Sequence, residues 1–100
     1  MKINVNAVNF NVDRKLVDFI QERVDKLEKY YDKVVAADVF LKVESTSEKE
    51  NKIVEIKMHV PGDDLMVKKQ CKTFEEAVDT CCESLGRLLL KRKEKIRTHI

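Results

Sequence analysis

Glycine and proline are almost missing from this chain of 100 residues, which holds two of the first and one of the second. So few turn-forming residues leave no room for long linkers or for a glycine-rich phosphate loop. There is no tryptophan, and aromatic residues make up 6% of the chain. A helix lying on a membrane surface would want Trp or Phe beside its lysines, and beyond Phe74 none is there. No apolar run could span a bilayer, and the opening MKINVNAVNF alternates where a signal peptide would be continuously apolar. The three cysteines are an odd set, and Cys81 and Cys82 are adjacent. Side by side on a helix, two residues point about 100° apart. A disulfide framework is therefore not expected, and a reducing cytoplasm fits.

Catalytic signatures are missing too. There is no nucleophile elbow and no HExxH. His59, Cys71, Cys81 and Cys82 can be counted toward a zinc site, but the two adjacent cysteines diverge and no metal spacing results. The carboxylates all have ordinary surface explanations. The expectation is a protein that is not an enzyme and has no cofactor, no metal and no small-molecule substrate.

What is present is charge, unevenly placed. Charged residues are 38% of the chain and the net charge is only +2. Yet Ser84 to Ile100 carries six basic side chains, Arg87, Lys91, Arg92, Lys93, Lys95 and Arg97, against Glu94 alone. That segment is +5 and the remainder is −3. A polyanion responds to such a local concentration more than to net charge. Three readings stay open at this point: a nucleic-acid contact, a solvated helix face, and a site for an acidic protein.

The periodicities give one domain over residues 1–100. Ile3, Val5 and Ala7 alternate with Lys2, Asn4 and Asn6, which predicts a half-buried strand. Asp13 offers an N-cap, with Val12 and Val17 placed as a hydrophobic staple. Leu16, Ile20, Val24, Leu27 and Tyr31 then follow at helical spacing, which predicts a helix over 13–31. Alternation over 35–43, 54–60 and 65–71 predicts three more strands. A polar tract over 44–52 reads as a mobile hairpin loop, and Pro61-Gly62-Asp63 as a tight turn. Thr73 and Glu76 form a capping box ahead of a long apolar stripe, so a last helix runs to about Arg97. Such a helix, at about 1.5 Å per residue, outruns a typical strand of about 17–20 Å, so its basic turns should overhang the sheet.

The order β-α-β-β-β-α, with one apolar face per strand and one apolar stripe per helix, predicts an α+β fold in two layers. Both helices cover one face of a four-stranded sheet. The other face shows Asn4, Asn6, Asp38, Phe40, Lys42, Glu55, Lys57, His59, Lys68 and Gln70. On the last helix, Arg87 and Lys91 share a flank that Lys95 continues, Arg92 extends the apolar stripe, and Lys93 and Arg97 point the other way. On the first helix, Arg23 lies near the apolar centre, so its stem should rest on core atoms while its guanidinium reaches the edge beside the second helix. Lys26 and Lys29 are interleaved with Glu22, Asp25 and Glu28, an ordinary i,i+4 pattern for an exposed helix.

The element order and three segments carry a resemblance. They are ERVDKLEKYYDKV (22–34), HVPGDDLMV (59–67) and FEEAVDTCCESLGRLLLKRKEK (74–95). Together they resemble the ribosome hibernation promoting factors and ribosome-associated translation inhibitors, the sigma-54 modulation protein family, in its short form. The resemblance covers essentially the whole chain. It implies a fold like a double-stranded-RNA-binding domain. It further implies a cytoplasmic protein, monomeric when free, that binds 16S rRNA of the small ribosomal subunit near the decoding centre. There it would block messenger and transfer RNA and inhibit translation in stationary phase or stress. Matching basic positions are Arg23, Lys26 and Lys29 on the first helix and Arg87, Lys91, Lys93 and Lys95 on the second. Glu75, after Phe74, stands where the family often has Tyr, and 67–72 is more basic than is usual there. Two rival functions remain: a protein-interaction regulator, for example of a sigma factor, and a general double-stranded-RNA-binding module.

Overall fold

A computed structural model of the protein describes residues 1–44 and 50–97, with side chains as far as Glu94 at the C-terminal end. Strand β1 (Lys2–Ala7) leads through Asn9, whose φ of 62° suits the left-handed tolerance of asparagine, into helix α1 (Arg14–Asp25). The helix starts where the cap places it, with the Asp13 carboxylate accepting from the Leu16 N–H at 2.8 Å. Strands β2 (Ala36–Val43), β3 (Lys52–Val60) and β4 (Asp63–Cys71) follow, and helix α2 (Phe74–Arg97) is the last described element. The Thr73 hydroxyl accepts from the Glu76 N–H at 3.1 Å, which begins α2 at the expected residue. The expected hairpin loop at 44–52 falls largely outside the described residues.

The sheet order is β1-β2-β3-β4, with β1 parallel to β2 and the later pairs antiparallel. One cluster joins Ile20 and Val24 of α1 to Val39, Leu41, Ile56 and Met58 of the sheet and to Val78, Cys81, Leu85 and Leu89 of α2. Both helices therefore lie on the same face, as the two-layer reading requires. The β3–β4 turn rests on Gly62, whose φ of +80° is open to glycine at little steric cost. Gly86 has a different reason: a Cβ there would stand 3.2 Å from the Tyr30 ring, so glycine lets that ring lie against α2.

Two expectations need correction. The first helix does not run regularly to Tyr31. It ends at Asp25 and tightens into a 3-10 turn over Lys26–Lys29, closed by the Tyr30 N–H donating to Leu27 O at 3.0 Å. Leu27 and Tyr31 stay buried through the tighter winding, so the apolar spacing continues past the end of the regular helix. The overhang of α2 is also shorter than expected. β3 and β4 hold nine residues each, about 30 Å at the usual rise, against about 36 Å for the 24 residues of α2. The sheet thus reaches the level of Arg92, whose guanidinium donates to Pro61 O and meets the Asp63 carboxylate at 3.4 Å.

Candidate functional site

A groove follows the seam where α1 and its 3-10 turn lie against α2. Its larger part, about 330 Å³, is lined by Arg23, Lys26 and Lys29 from one side and by Asp79 and Glu83 from the other, with Tyr30 and Cys82 between. Past Tyr30 it continues along Gly86, Arg87 and Leu90. The seam exists because Val24 and Leu27 turn into the core while Arg23, Lys26 and Lys29 stay outside on successive turns.

Each cation is held differently. Arg23 stacks over the Phe19 ring at 5.0 Å and meets the Asp79 carboxylate at 3.3 Å, so its stem and head divide between core edge and helix seam as the wheel implies. Lys26 pairs with Glu22 at 3.4 Å, one turn back on the same helix. Lys29 sits over the Tyr30 ring at 5.0 Å. Arg87 touches the Ser84 hydroxyl at 3.5 Å. Lys91 and Lys93 are exposed and make no ion pair among the described residues. The side chain of Lys95 lies outside the described residues.

The structure thus gathers Arg23, Lys26 and Lys29 into one groove and puts Arg87 at its far end. It leaves Lys91 and Lys93 farther along α2. The groove is of mixed sign, because Asp79 and Glu83 line it too. Exposed pairs of this kind are worth only about 0–1 kcal/mol, so Arg23 and Lys26 can exchange their carboxylates for a stronger anion at small cost. Burial and the nearby Asp79 push the Cys82 thiol up to about 11. A thiol held protonated offers the groove no nucleophile.

One feature escaped the sequence reading and another was legible only in part. Tyr30 lies off the apolar spacing that ends in Tyr31 and has no role in that reading, yet it lines both parts of the groove. Arg92, counted with the basic run, is turned into the β3–β4 turn and only 24% of its side chain is exposed. Its place on the apolar stripe was the available signal. Among the described residues no group of three or more His, Cys, Asp or Glu is arranged to hold a metal ion. No described helix is long and apolar enough to cross a membrane.

The fold and much of the sequence have known counterparts. A ribosomal subunit interface protein from Coxiella burnetii superposes with a TM-score of 0.82 at 17% identity, covering 94% of this chain and 99% of that one. The N-terminal domain of Protein Y from Thermus thermophilus gives 0.79 at 19% identity, covering 91% and 98%. At such identities the likeness concerns the α+β fold. A ribosome hibernation promoting factor of Azotobacter vinelandii is 27% identical over 95 residues, 95% of this chain and 85% of that protein. The protein of the same name from Escherichia coli K12 is 27% identical over 99 residues, 99% of this chain and 100% of that protein. The profile described as "Sigma 54 modulation protein / S30EA ribosomal protein" matches residues 3–97, from β1 to the last turn of α2, and the chain belongs to that family.

Proposed function

We propose that this protein is a ribosome hibernation factor. It binds the small ribosomal subunit near the decoding centre, where messenger and transfer RNA would otherwise lie, and blocks translation in stationary phase or stress. The observation that carries the reading is the basic helix layer: Arg23, Lys26 and Lys29 on one wall of the seam, Arg87 at its end, and Lys91 and Lys93 beyond it. Relatives named ribosome hibernation promoting factor, matching nearly end to end, support the choice of the ribosome as the anion.

The chemistry needed is positioning. Lysine and arginine neutralise phosphates and set the register of the domain on folded RNA without reading its sequence. The protein then acts by occupancy, since an RNA strand cannot enter a channel whose phosphate walls are already engaged. Within the helix layer, Lys29, Arg87, Lys91 and Lys93 have no carboxylate partner among the described residues, so none of them must break an ion pair to meet a phosphate. Lys95, one turn past Lys91, is assigned to the same contact.

The test is cosedimentation with purified small subunits. The wild-type protein is expected in the subunit peak, and the variant carrying Arg87→Glu, Lys91→Glu and Lys95→Glu in the ribosome-free fractions. Retention of that variant on the subunit would reject the account. A salt-tolerant complex with a protein in place of RNA would favour a protein-interaction regulator instead.

A further inference from the structure

The face of the sheet opposite the helices divides into two unlike halves. At one end, a hydrogen-bonded chain crosses all four strands. Asn4 on β1 donates to Asp38 on β2 at 3.0 Å, the Asp38 carboxylate meets His59 Nε2 at 2.9 Å, and His59 Nδ1 meets Asp64 on β4 at 2.8 Å. Lys57 adds an ion pair to Asp64 at 3.8 Å. Each polar group there already has a partner within the protein.

The other end is different. A pocket of about 200 Å³ is lined by Val8, Phe40, Ile53, Lys42, Glu44, Glu55 and Lys68. Phe40 is 37% exposed and stands outside the core cluster. Ile53 is 7% exposed although it too lies on the side away from the helices, so it gives the pocket an apolar floor. Phe40, Glu55 and Lys68 occupy one cross-strand row, and Lys42 pairs with Ile53 in the next. Lys42, Glu55 and Lys68 form no ion pair among the described residues.

We infer that this pocket binds one unpaired base of single-stranded RNA, stacked on the Phe40 ring. A base has a π-face of the size that a half-exposed aromatic on a sheet can cover, and such stacking tolerates any sequence. Lys68 lies two strand spacings from Phe40, about 10 Å, on the far side of Glu55. Lys42 follows Phe40 by two residues, about 7 Å along the strand. The two ammonium groups are thus placed to take the phosphates on either side of a stacked nucleotide. Glu55 would repel a bare phosphate, but between the lysines it can accept hydrogen bonds from the donor edge of a base. Guanine, with adjacent N1–H and N2–H donors, suits a carboxylate best. The inference goes beyond the helix-side contact with folded RNA and needs none of its residues.

The probes are the RNA hexamers UUGUUU and UUUUUU, titrated at low salt into protein labelled for amide NMR. The expected shifts centre on Phe40, Glu55 and Lys68, with UUGUUU bound more tightly. Phe40→Leu keeps the apolar cover but loses the ring, and should weaken binding by about five- to a hundredfold, the range for loss of one stacked base. Phe40→Trp should restore it, which a purely structural role would not produce. Shifts confined to α1 and α2, equal affinity of Phe40→Leu, or self-association through this face would each overturn the inference. Cosedimentation of Phe40→Leu with small subunits separates the two proposals. If the hexamers leave Phe40 unmoved while the subunit is still bound, the pocket fails and the proposed function stands. If the hexamers bind at Phe40 while the wild-type protein ignores the subunit, the reverse holds.

Discussion

Replacing Arg92 separates a strut from a ligand within the basic run. Its guanidinium donates to Pro61 O and meets Asp63 at 3.4 Å, which fastens α2 to the β3–β4 turn where the overhang begins. A charged donor on a neutral acceptor contributes about 1.5–3 kcal/mol, and an ion pair with a half-exposed carboxylate about 0–1 kcal/mol. Against this, Nε is buried without a partner, which costs about 1 kcal/mol or more. At the middle of these ranges the net contribution is about 1–2 kcal/mol. For a domain of this size, each kcal/mol moves the melting temperature by roughly 4–8 °C. Arg92→Ala should therefore melt roughly 4–16 °C lower in a far-UV circular dichroism scan. Arg92→Lys keeps the net charge, but a single ammonium cannot span carbonyl and carboxylate as the planar fork does. It should lose most of the same stability, whereas Lys93→Arg, at an exposed neighbouring position, should change nothing. A melting temperature unchanged in Arg92→Ala, or a fully stable Arg92→Lys, would refute the strut.

Three further outcomes follow from the geometry. Contact with Asp38 and Asp64 raises the His59 imidazole above its ordinary value of 6.5. Its stabilising contribution is thus complete below about pH 6.5 and fades as pH rises through the higher folded value. A series of melts across that window should show the loss in wild type and not in His59→Gln, and parallel curves would contradict it. Burial holds Cys81 up to about 12 and Cys82 up to about 11. At pH 8 both should react with a thiol-specific disulfide reagent well below the rate of a free cysteine, and equal rates would show the seam to be open. Leu89→Ala, at a fully buried position on α2, should cost about 2–5 kcal/mol by denaturant titration. A smaller loss would mean that the last turns of the core are loosely packed.

The legible parts of the fold were those written in local periodicity. Alternation placed four strands, and Asp13 and Thr73 marked both helix starts, because each signal is carried by residues a few positions apart. The end of α1 was not legible, since Leu27 and Tyr31 stay on the core side whether the backbone winds with 3.6 or 3 residues per turn. Register was hidden as well. The chain from Asn4 through Asp38 and His59 to Asp64 depends on how four strands align, which no single segment encodes. Of the candidate site, exposure and clustering of basic residues could be read from the wheel. Their carboxylate neighbours Asp79 and Glu83 could not, because α2 brings them to the seam from 50 or more positions away. Arg92 lay between these cases: its wheel position announced that it was covered, while its partners at the β3–β4 turn belong to tertiary structure.

The salt dependence of small-subunit binding tests the central claim most directly. Six neutralised phosphates should make the affinity fall by about a thousandfold or more between 50 and 200 mM salt. The logarithm of the constant should fall linearly with the logarithm of salt, and the slope should shrink for the variant carrying Arg87→Glu, Lys91→Glu and Lys95→Glu. An affinity that barely changes over that range, or a slope untouched by those substitutions, would contradict phosphate contact as the basis of binding.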